Sequence, residues 1–258
     1  MIKVIVCGAL GKMGRTVVDE IALDGELALA GAIEAPGNPG LGSSVGGAVV
    51  TADLAEALTG AGVVVDFTNP KAALEHIAQC AEALTAAVVG TTGFTSDELA
   101  LAKKAAGRIP LIISPNMSAG VNLMFKIAGD VARALPDFDA EIVEIHHNKK
   151  KDAPSGTAAR LADIIGGVRT SPQLVHGRDG LVGARKPDEI GMHSLRGGDV
   201  VGEHTVIFAG EGERFELTHR AHSRRTFARG TLRAIHFIYG QKPGLYTMAD
   251  VLGLSSKS

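Results

Sequence analysis

His146, His147 and Lys150 stand close together in the sequence, just ahead of Ser155-Gly156-Thr157. Imidazole titrates near neutral pH and can both take and give a proton, while an ammonium can give one. A lysine set among other cations, as in Lys149-Lys150-Lys151, loses basicity and becomes a better acid at neutral pH. Small hydroxyl residues and glycine at a helix start offer N–H groups, hydroxyls and the positive dipole end to a carboxylate. Together these residues describe a pocket for an anion with proton donors beside it. Two plainer readings stand against this one. Neighbouring histidines on a strand point to opposite faces, so only one need face a cleft. A lysine run is also often solvated surface. No metal site is expected, because His146 and His147 lack the i, i+4 spacing of a helical zinc pair and no cysteine is near.

A second group of residues sits at the amino end. Ile2 to Cys7 is an apolar, β-branched run, followed by Gly8-Ala9-Leu10-Gly11-Lys12-Met13-Gly14 and then a stretch with helical spacing at Val17, Val18 and Ile21. A strand, a glycine loop and a helix in that order can bind the pyrophosphate of a dinucleotide. One glycine permits the turn, a second lets the backbone approach the phosphates, and a third lets helix and strand pack closely. The spacing is GxxGxxG rather than GxGxxG, so a glycine turn serving only packing remains the alternative. Glu34 closes a second apolar run, Leu27 to Ile33, where a carboxylate can hold the adenosine ribose. Such a carboxylate repels a 2′-phosphate and favours NADH over NADPH. Ala35 and Pro36 follow it rather than arginine. Lys12 and Arg15 keep dual use open.

The elements that must position these groups follow from periodicity. Strands are expected at Val63–Phe67, Ala87–Val89 and Ile109–Ile113. A helix is expected from Pro70 to about Leu84, and residues 35–47 read as a loop. Thr95 and Glu98 form a capping-box pattern. Alternating strands and helices imply a doubly wound parallel sheet, whose ligands lie at the carboxyl ends of the strands. The loops Phe67-Thr68, Gly90-Thr91-Thr92 and Ser114-Pro115-Asn116-Met117 belong there, with hydroxyl, amide and backbone groups able to face a nicotinamide. After Met117 the pattern changes to a helix over 120–135, an alternating strand over 141–147, a helix capped by Ser155, and strands at 190–195, 199–208 and 213–219. This is α+β character with a mostly antiparallel or mixed sheet. The fold class is therefore α/β, a Rossmann-like doubly wound domain (1–117 with 227–258) plus a second α+β domain (118–226).

Composition narrows the class. The chain has 258 residues, a formal net charge of −2, 45% hydrophobic and 21% charged residues, which is globular composition. The charge balance argues against nucleic acid as a partner. No apolar run approaches the roughly 20 residues of a membrane span, and the amino end lacks the pattern of a signal peptide. Two distant cysteines, Cys7 and Cys80, suit free thiols in a reducing cytoplasm.

The stretch Glu144-Ile145-His146-His147-Asn148-Lys149-Lys150-Lys151-Asp152-Ala153-Pro154-Ser155-Gly156-Thr157 resembles the signature E-x-H-H-x-x-K-x-D-x-P-S-G-T-A of the 4-hydroxy-tetrahydrodipicolinate (dihydrodipicolinate) reductases. The likeness extends to the Gly8–Gly14 loop, Gly90-Thr91-Thr92-Gly93, Pro115-Asn116-Met117-Ser118, Val201 to Val206 and Thr218 to Arg224. It implies NAD(P)H-dependent reduction of a cyclic dicarboxylate in the diaminopimelate route of lysine biosynthesis. It also implies His146 and Lys150 as acid/base pair with Lys150 the proton donor, and His147, Ser155, Gly156 and Thr157 as carboxylate grip. Gly8, Ala9, Leu10, Gly11, Lys12, Met13, Glu34, Gly90, Thr91, Thr92, Ser114, Pro115, Asn116 and Met117 are implied to line the cofactor. A homotetramer and an interdomain hinge are implied too. A reductase acting on an amino-acid semialdehyde or keto acid, and an NADH-sensing regulator, are the rival readings.

Overall fold

The computed structural model describes residues 1–255. Its strands are β1 (Ile2–Cys7), β2 (Leu27–Ile33), β3 (Ser44–Val45), β4 (Ala48–Thr51), β5 (Val63–Asp66), β6 (Ala86–Val89), β7 (Pro110–Ile113), β8 (Asp139–His146), β9 (Gln173–His176), β10 (Glu189–Arg196), β11 (Gly202–Gly210), β12 (Glu213–Ala221) and β13 (Gly244–Tyr246). Its α-helices are α1 (Lys12–Ile21), α2 (Leu54–Ala57), α3 (Pro70–Glu82), α4 (Ser96–Lys104), α5 (Ala119–Ala134), α6 (Gly156–Gly166), α7 (Arg225–Ile238) and α8 (Met248–Val251). These elements fall into two compact units: Met1–Ala119 with the chain from Arg224 onward, and Gly120–Ser223. No helix among the described residues is long and apolar enough to cross a membrane.

The first unit is a sheet in the order β13-β7-β6-β5-β1-β2-β4-β3, parallel except where β3 meets β4. Its central strands are apolar on both faces because helices cover both. Val4, Val6, Val63, Val65 and Val88 pack with α1 and α7, while Ile5, Val64, Val89 and Leu111 pack with α3 and α4. That continuous burial is why these strands read as uninterrupted β-branched runs. The carboxyl-terminal segment completes the unit. β13 extends the sheet beside β7, and α7 is tied to α1 by Arg225 and Arg229, which both donate to the buried carboxylate of Glu20. Burial alone would raise the Glu20 pKa, but the two guanidinium groups hold it below the ordinary carboxylate range.

The expected loop at 35–47 is corrected at its end. Ser44 and Val45 pair with Val49 and Ala48 across Gly46-Gly47, whose φ values are +56° and +85°. Both central residues of that tight turn need positive φ, which glycine adopts without strain.

In the second unit the order is β12-β11-β8-β10-β9. β11 runs antiparallel to β12 and β8, while β10 runs parallel to β8 and β9, so the sheet is mixed. The short strand β9 had no counterpart in the sequence reading. α5 and α6 cover one face, where Met124, Ala128, Leu161 and Ile165 pack against Ala140, Ile142, Met192, Val206 and Phe208. Strand period two then places Glu144 and His146 on the same side of β8 as Ala140 and Ile142.

Candidate active site

The loop after β1 shows why three glycines are needed. Gly8 has φ +77°, and a Cβ there would stand 2.6 Å from the Phe67 carbonyl oxygen. A Cβ on Gly14 would stand 2.0 Å from the Gly8 oxygen, so helix and loop can meet only without side chains. Gly11 is the cap residue of α1 and supplies no side-chain cap, whereas α3, α4 and α6 are capped by Asn69, Thr95 and Ser155. The first N–H groups of α1, beginning at Lys12 and Met13, therefore lack intrahelical partners and face outward with the positive dipole end. The cradle fits a pyrophosphate.

Not every residue of that loop faces a ligand. Ala9 is fully buried, and its N–H and that of Gly8 donate to the Ile33 oxygen. Leu10 N–H donates to Glu34 Oε1 at 2.7 Å, and Asn38 Nδ2 donates to Oε2 at 3.0 Å. Glu34 therefore lies at the loop, at the wall of a cavity of about 460 Å³ that Gly8, Gly11, Phe67, His76 and Gln79 also line. The described lining carries the carboxylates of Glu34 and Glu75 and no lysine or arginine. Arg15 turns back to donate to the Leu10 oxygen at 2.9 Å. A further cavity of about 610 Å³ lies at Met1, Gly62, Ala86 and Pro110, the amino ends of the strands, away from where such sheets bind ligands.

The next two loops are held by hydrogen bonds among their own residues. Thr91 is buried, donates to Asp66 Oδ1 at 2.6 Å and accepts from Thr68 N–H at 2.9 Å. Its hydroxyl ties the loops after β5 and β6 together, and it does not face outward. Thr68 donates to the same Asp66 oxygen, and His76 Nδ1 meets Asp66 Oδ2 at 2.6 Å. Gly90 lies against the Phe67 ring, which a Cβ would meet at 2.2 Å; Thr92 is exposed. After β7, Ser114 donates to the Asn116 oxygen at 2.8 Å, and Asn116 Oδ1 accepts from Ser118 N–H. Met117 is a core residue, 2% exposed. Its carbonyl oxygen lies where a Cβ on Gly230 of α7 would come within 1.7 Å, so it offers backbone rather than side chain. Pro115 is exposed and Asn116 half-buried.

Cys7, Asp66 and His76 bring possible ligand atoms within 4.8 Å of one another. Both Asp66 oxygens already accept hydrogen bonds, and burial pushes the Cys7 thiol well above its ordinary range. A protonated thiol is a poor metal ligand.

In the second unit, the fully buried Glu144 is the centre of a network. It accepts from Arg196 Nη1 at 3.0 Å and Nη2 at 2.9 Å and from Ser155 N–H at 3.2 Å, and it meets His146 Nδ1. Burial would raise its pKa, but hydrogen bonds from Arg196, Ser194 and His146 hold it below the ordinary range. Burial pushes His146 below the usual histidine range, against the pull of Glu144. His204 stands with its ring centroid 5.2 Å from that of His146. Burial, aided by the neighbouring His146, pushes it down to about 3.

Of the three lysines, Lys149 and Lys151 are exposed and Lys150 is half-buried. Lys150 Nζ is paired to Asp152 at 2.7 and 2.8 Å. The cation crowding expected from the sequence thus omits a carboxylate two residues on. Ser155 is 3% exposed and its hydroxyl accepts from Ala158 N–H and meets His204 Nε2 at 2.9 Å. Its hydroxyl and N–H both have partners inside the protein. Gly156 is exposed at the start of α6 and Thr157 is buried. His147 Nδ1 is buried with no hydrogen-bond partner among the described residues. Sequence reasoning missed Arg196 and His204, although both lie in or beside expected strands, and it missed Asp66 and His76.

A doubly wound sheet with a glycine cradle, joined to a mixed-sheet unit bearing a proton-donor network, defines a nicotinamide-dependent oxidoreductase. Family models described as the N-terminus and C-terminus of dihydrodipicolinate reductase match residues 2–117 and 120–252. The chain belongs to the dihydrodipicolinate reductase family. It is 50% identical to the 4-hydroxy-tetrahydrodipicolinate reductase of Anaeromyxobacter dehalogenans, with 98% of each chain covered. It is 47% identical to that of Trichlorobacter lovleyi, over 98% of this chain and 100% of the relative. Among solved structures it is similar to a dipicolinate-bound dihydrodipicolinate reductase from Paenisporosarcina sp. TG-14, with TM-score 0.81, 29% identity and coverage of 97% and 98%.

Proposed function

We propose that this chain catalyses the NAD(P)H-dependent reduction of 4-hydroxy-tetrahydrodipicolinate to tetrahydrodipicolinate in the diaminopimelate route to lysine. The observation that carries the reading is the coexistence of two fitted parts. One is the side-chain-free cradle at Gly8, Gly11 and Gly14. The other is the proton-donor cluster at the start of α6. The unit formed by residues 1–119 and the chain from Arg224 onward is the cofactor domain, and residues 120–223 are the substrate domain. When bound, the nicotinamide supplies a hydride.

The chain's own residues do the rest. The N–H groups at the start of α1 hold the pyrophosphate, and Glu34 holds the adenosine ribose. Gly8 to Met13, Gly90 to Thr92 and Ser114 to Met117 shape the remaining wall, Ala9, Thr91 and Met117 through the backbone they fix. His147, Gly156 and Thr157 hold the substrate carboxylates, with Ser155 setting the helix start that presents them. Lys150 gives the proton and His146 stands beside it as its acid/base partner. NADH is the better cofactor, because Glu34 and Glu75 both face a cavity where a 2′-phosphate would need cations. Two buried free thiols support a cytoplasmic setting, and the family resemblance supports a homotetramer, which sedimentation would test.

Purified protein should oxidise NADH in the presence of the cyclic dicarboxylate and not with aspartate semialdehyde, followed by NADH absorbance. Turnover on the semialdehyde instead would replace this reading by its rival. NADH binding without turnover on either would favour a sensing role.

A further inference from the structure

We propose that Glu144 is a positioning residue that holds His146 as the Nδ1–H tautomer, so that Nε2 acts as an acceptor and Lys150 alone donates. The inference rests on the placement of the reaction at His146 and Lys150 and assigns a role to a residue outside the reacting pair. Glu144 and His146 are two residues apart on β8 and so share its helix-covered face. A carboxylate facing two guanidinium N–H groups and a backbone N–H is ionised and can only accept. The nitrogen turned toward it must then carry the proton, which leaves the lone pair of a neutral ring on Nε2.

The groups facing His146 come from four places: Glu144 on β8, Lys150 in the loop after it, Arg196 on β10 and His204 on β11. Arg196 and Lys150 are cations and His204 turns its Nε2 to the Ser155 hydroxyl, so of these groups it is Glu144 that meets Nδ1 as an acceptor. The free edge of the ring has its own provision. Nε2 lies 2.9 Å from where a Cβ on Gly202 would stand, so a glycine at that place in β11 is what lets the ring sit there.

The network also sets register. Arg196 Nη2 donates to the Asp152 oxygen at 2.7 Å as well as to Glu144, and Glu144 Oε1 accepts from Ser155 N–H. One ion pair thus fixes three things: the imidazole, the loop carrying Lys150 and the start of α6. A buried pair of this kind is costly to build, and removing one partner leaves the other charge buried and unpaired.

The test is nitrogen-15 NMR of the imidazoles in the full-length protein, with the His146 signals assigned by their loss in His146→Asn. Wild-type His146 should show Nδ1 protonated and Nε2 bare near neutral pH; the reverse tautomer overturns the proposal without any variant. In Glu144→Gln, folded by circular dichroism, that bias should disappear. Its kcat/KM for the cyclic dicarboxylate should fall on the order of 10²-fold, with the pH profile displaced and NADH affinity retained. A changed tautomer with unchanged turnover, or lost turnover with an unchanged tautomer, overturns the proposal equally. If wild type fails to reduce the cyclic dicarboxylate, the assigned reaction fails, and the wild-type spectrum still decides the tautomer.

Discussion

At the carboxyl end of β1 the groups left for a ligand are backbone N–H groups, while at the carboxyl end of β8 they are side chains held by other side chains. The first arrangement needs absence: Gly8 and Gly14 must lack a Cβ because carbonyl oxygens stand 2.6 and 2.0 Å from where one would be. The second needs presence: Glu144 keeps its charge in the core only because Arg196, Ser155 and His146 all donate to it. Fixed backbone dipoles suit a cofactor bound the same way every cycle. Side chains with displaced pKa values suit a step in which a proton moves.

The sharpest break of the first arrangement is Gly14→Ala. Its methyl would meet the Gly8 oxygen at 2.0 Å, and overpacking of this kind costs about 1–3 kcal/mol. NADH Kd should rise roughly ten- to a hundredfold by titration calorimetry; an unchanged Kd would mean the cradle is not the pyrophosphate site.

Thr91→Val comes next. It removes a buried hydroxyl that joins Asp66 to Thr68 and should destabilise by about 1–3 kcal/mol, read as a lower Tm. Equal stability would show that the two loops hold together without it.

Glu34→Ala should weaken NADH by about tenfold, the worth of a charged hydrogen bond, and NADPH less. Equal losses for the two cofactors would refute the ribose contact.

The second unit offers a pH slope. The folded value of His204 is about 3 against an ordinary 6.5, so the unfolded chain binds the proton first. Its contribution to stability is complete above 6.5 and is lost as pH falls toward 3. Thermal unfolding across that range should show a declining Tm, and His204→Gln should remove part of the decline.

The same contrast explains what could be read from the sequence. The glycine cradle, the Thr95–Glu98 capping box and the Ser155 cap are local, each formed by residues within one turn or loop. Their spacing is visible along the chain. The Glu144 network is not, because Arg196 reaches Glu144 from 52 positions away and His204 reaches Ser155 from 49 positions away, both brought there by sheet pairing. Nothing near residue 196 announces which strand lies beside it. Asp66 was missed for a related reason: it closes an apolar strand, and its partners Thr91 and His76 come from β6's loop and from α3. Lys150 was misread in its setting because a run of like charges hid the pairing with Asp152.

The division of labour between the two units is tested most directly by Lys150→Ala, with kcat and NADH affinity measured on the same preparation. The account predicts that kcat for the cyclic dicarboxylate falls on the order of 10²–10⁴-fold while NADH Kd stays at its wild-type value. Turnover near the wild-type rate, or loss of NADH binding in step with kcat, would contradict it.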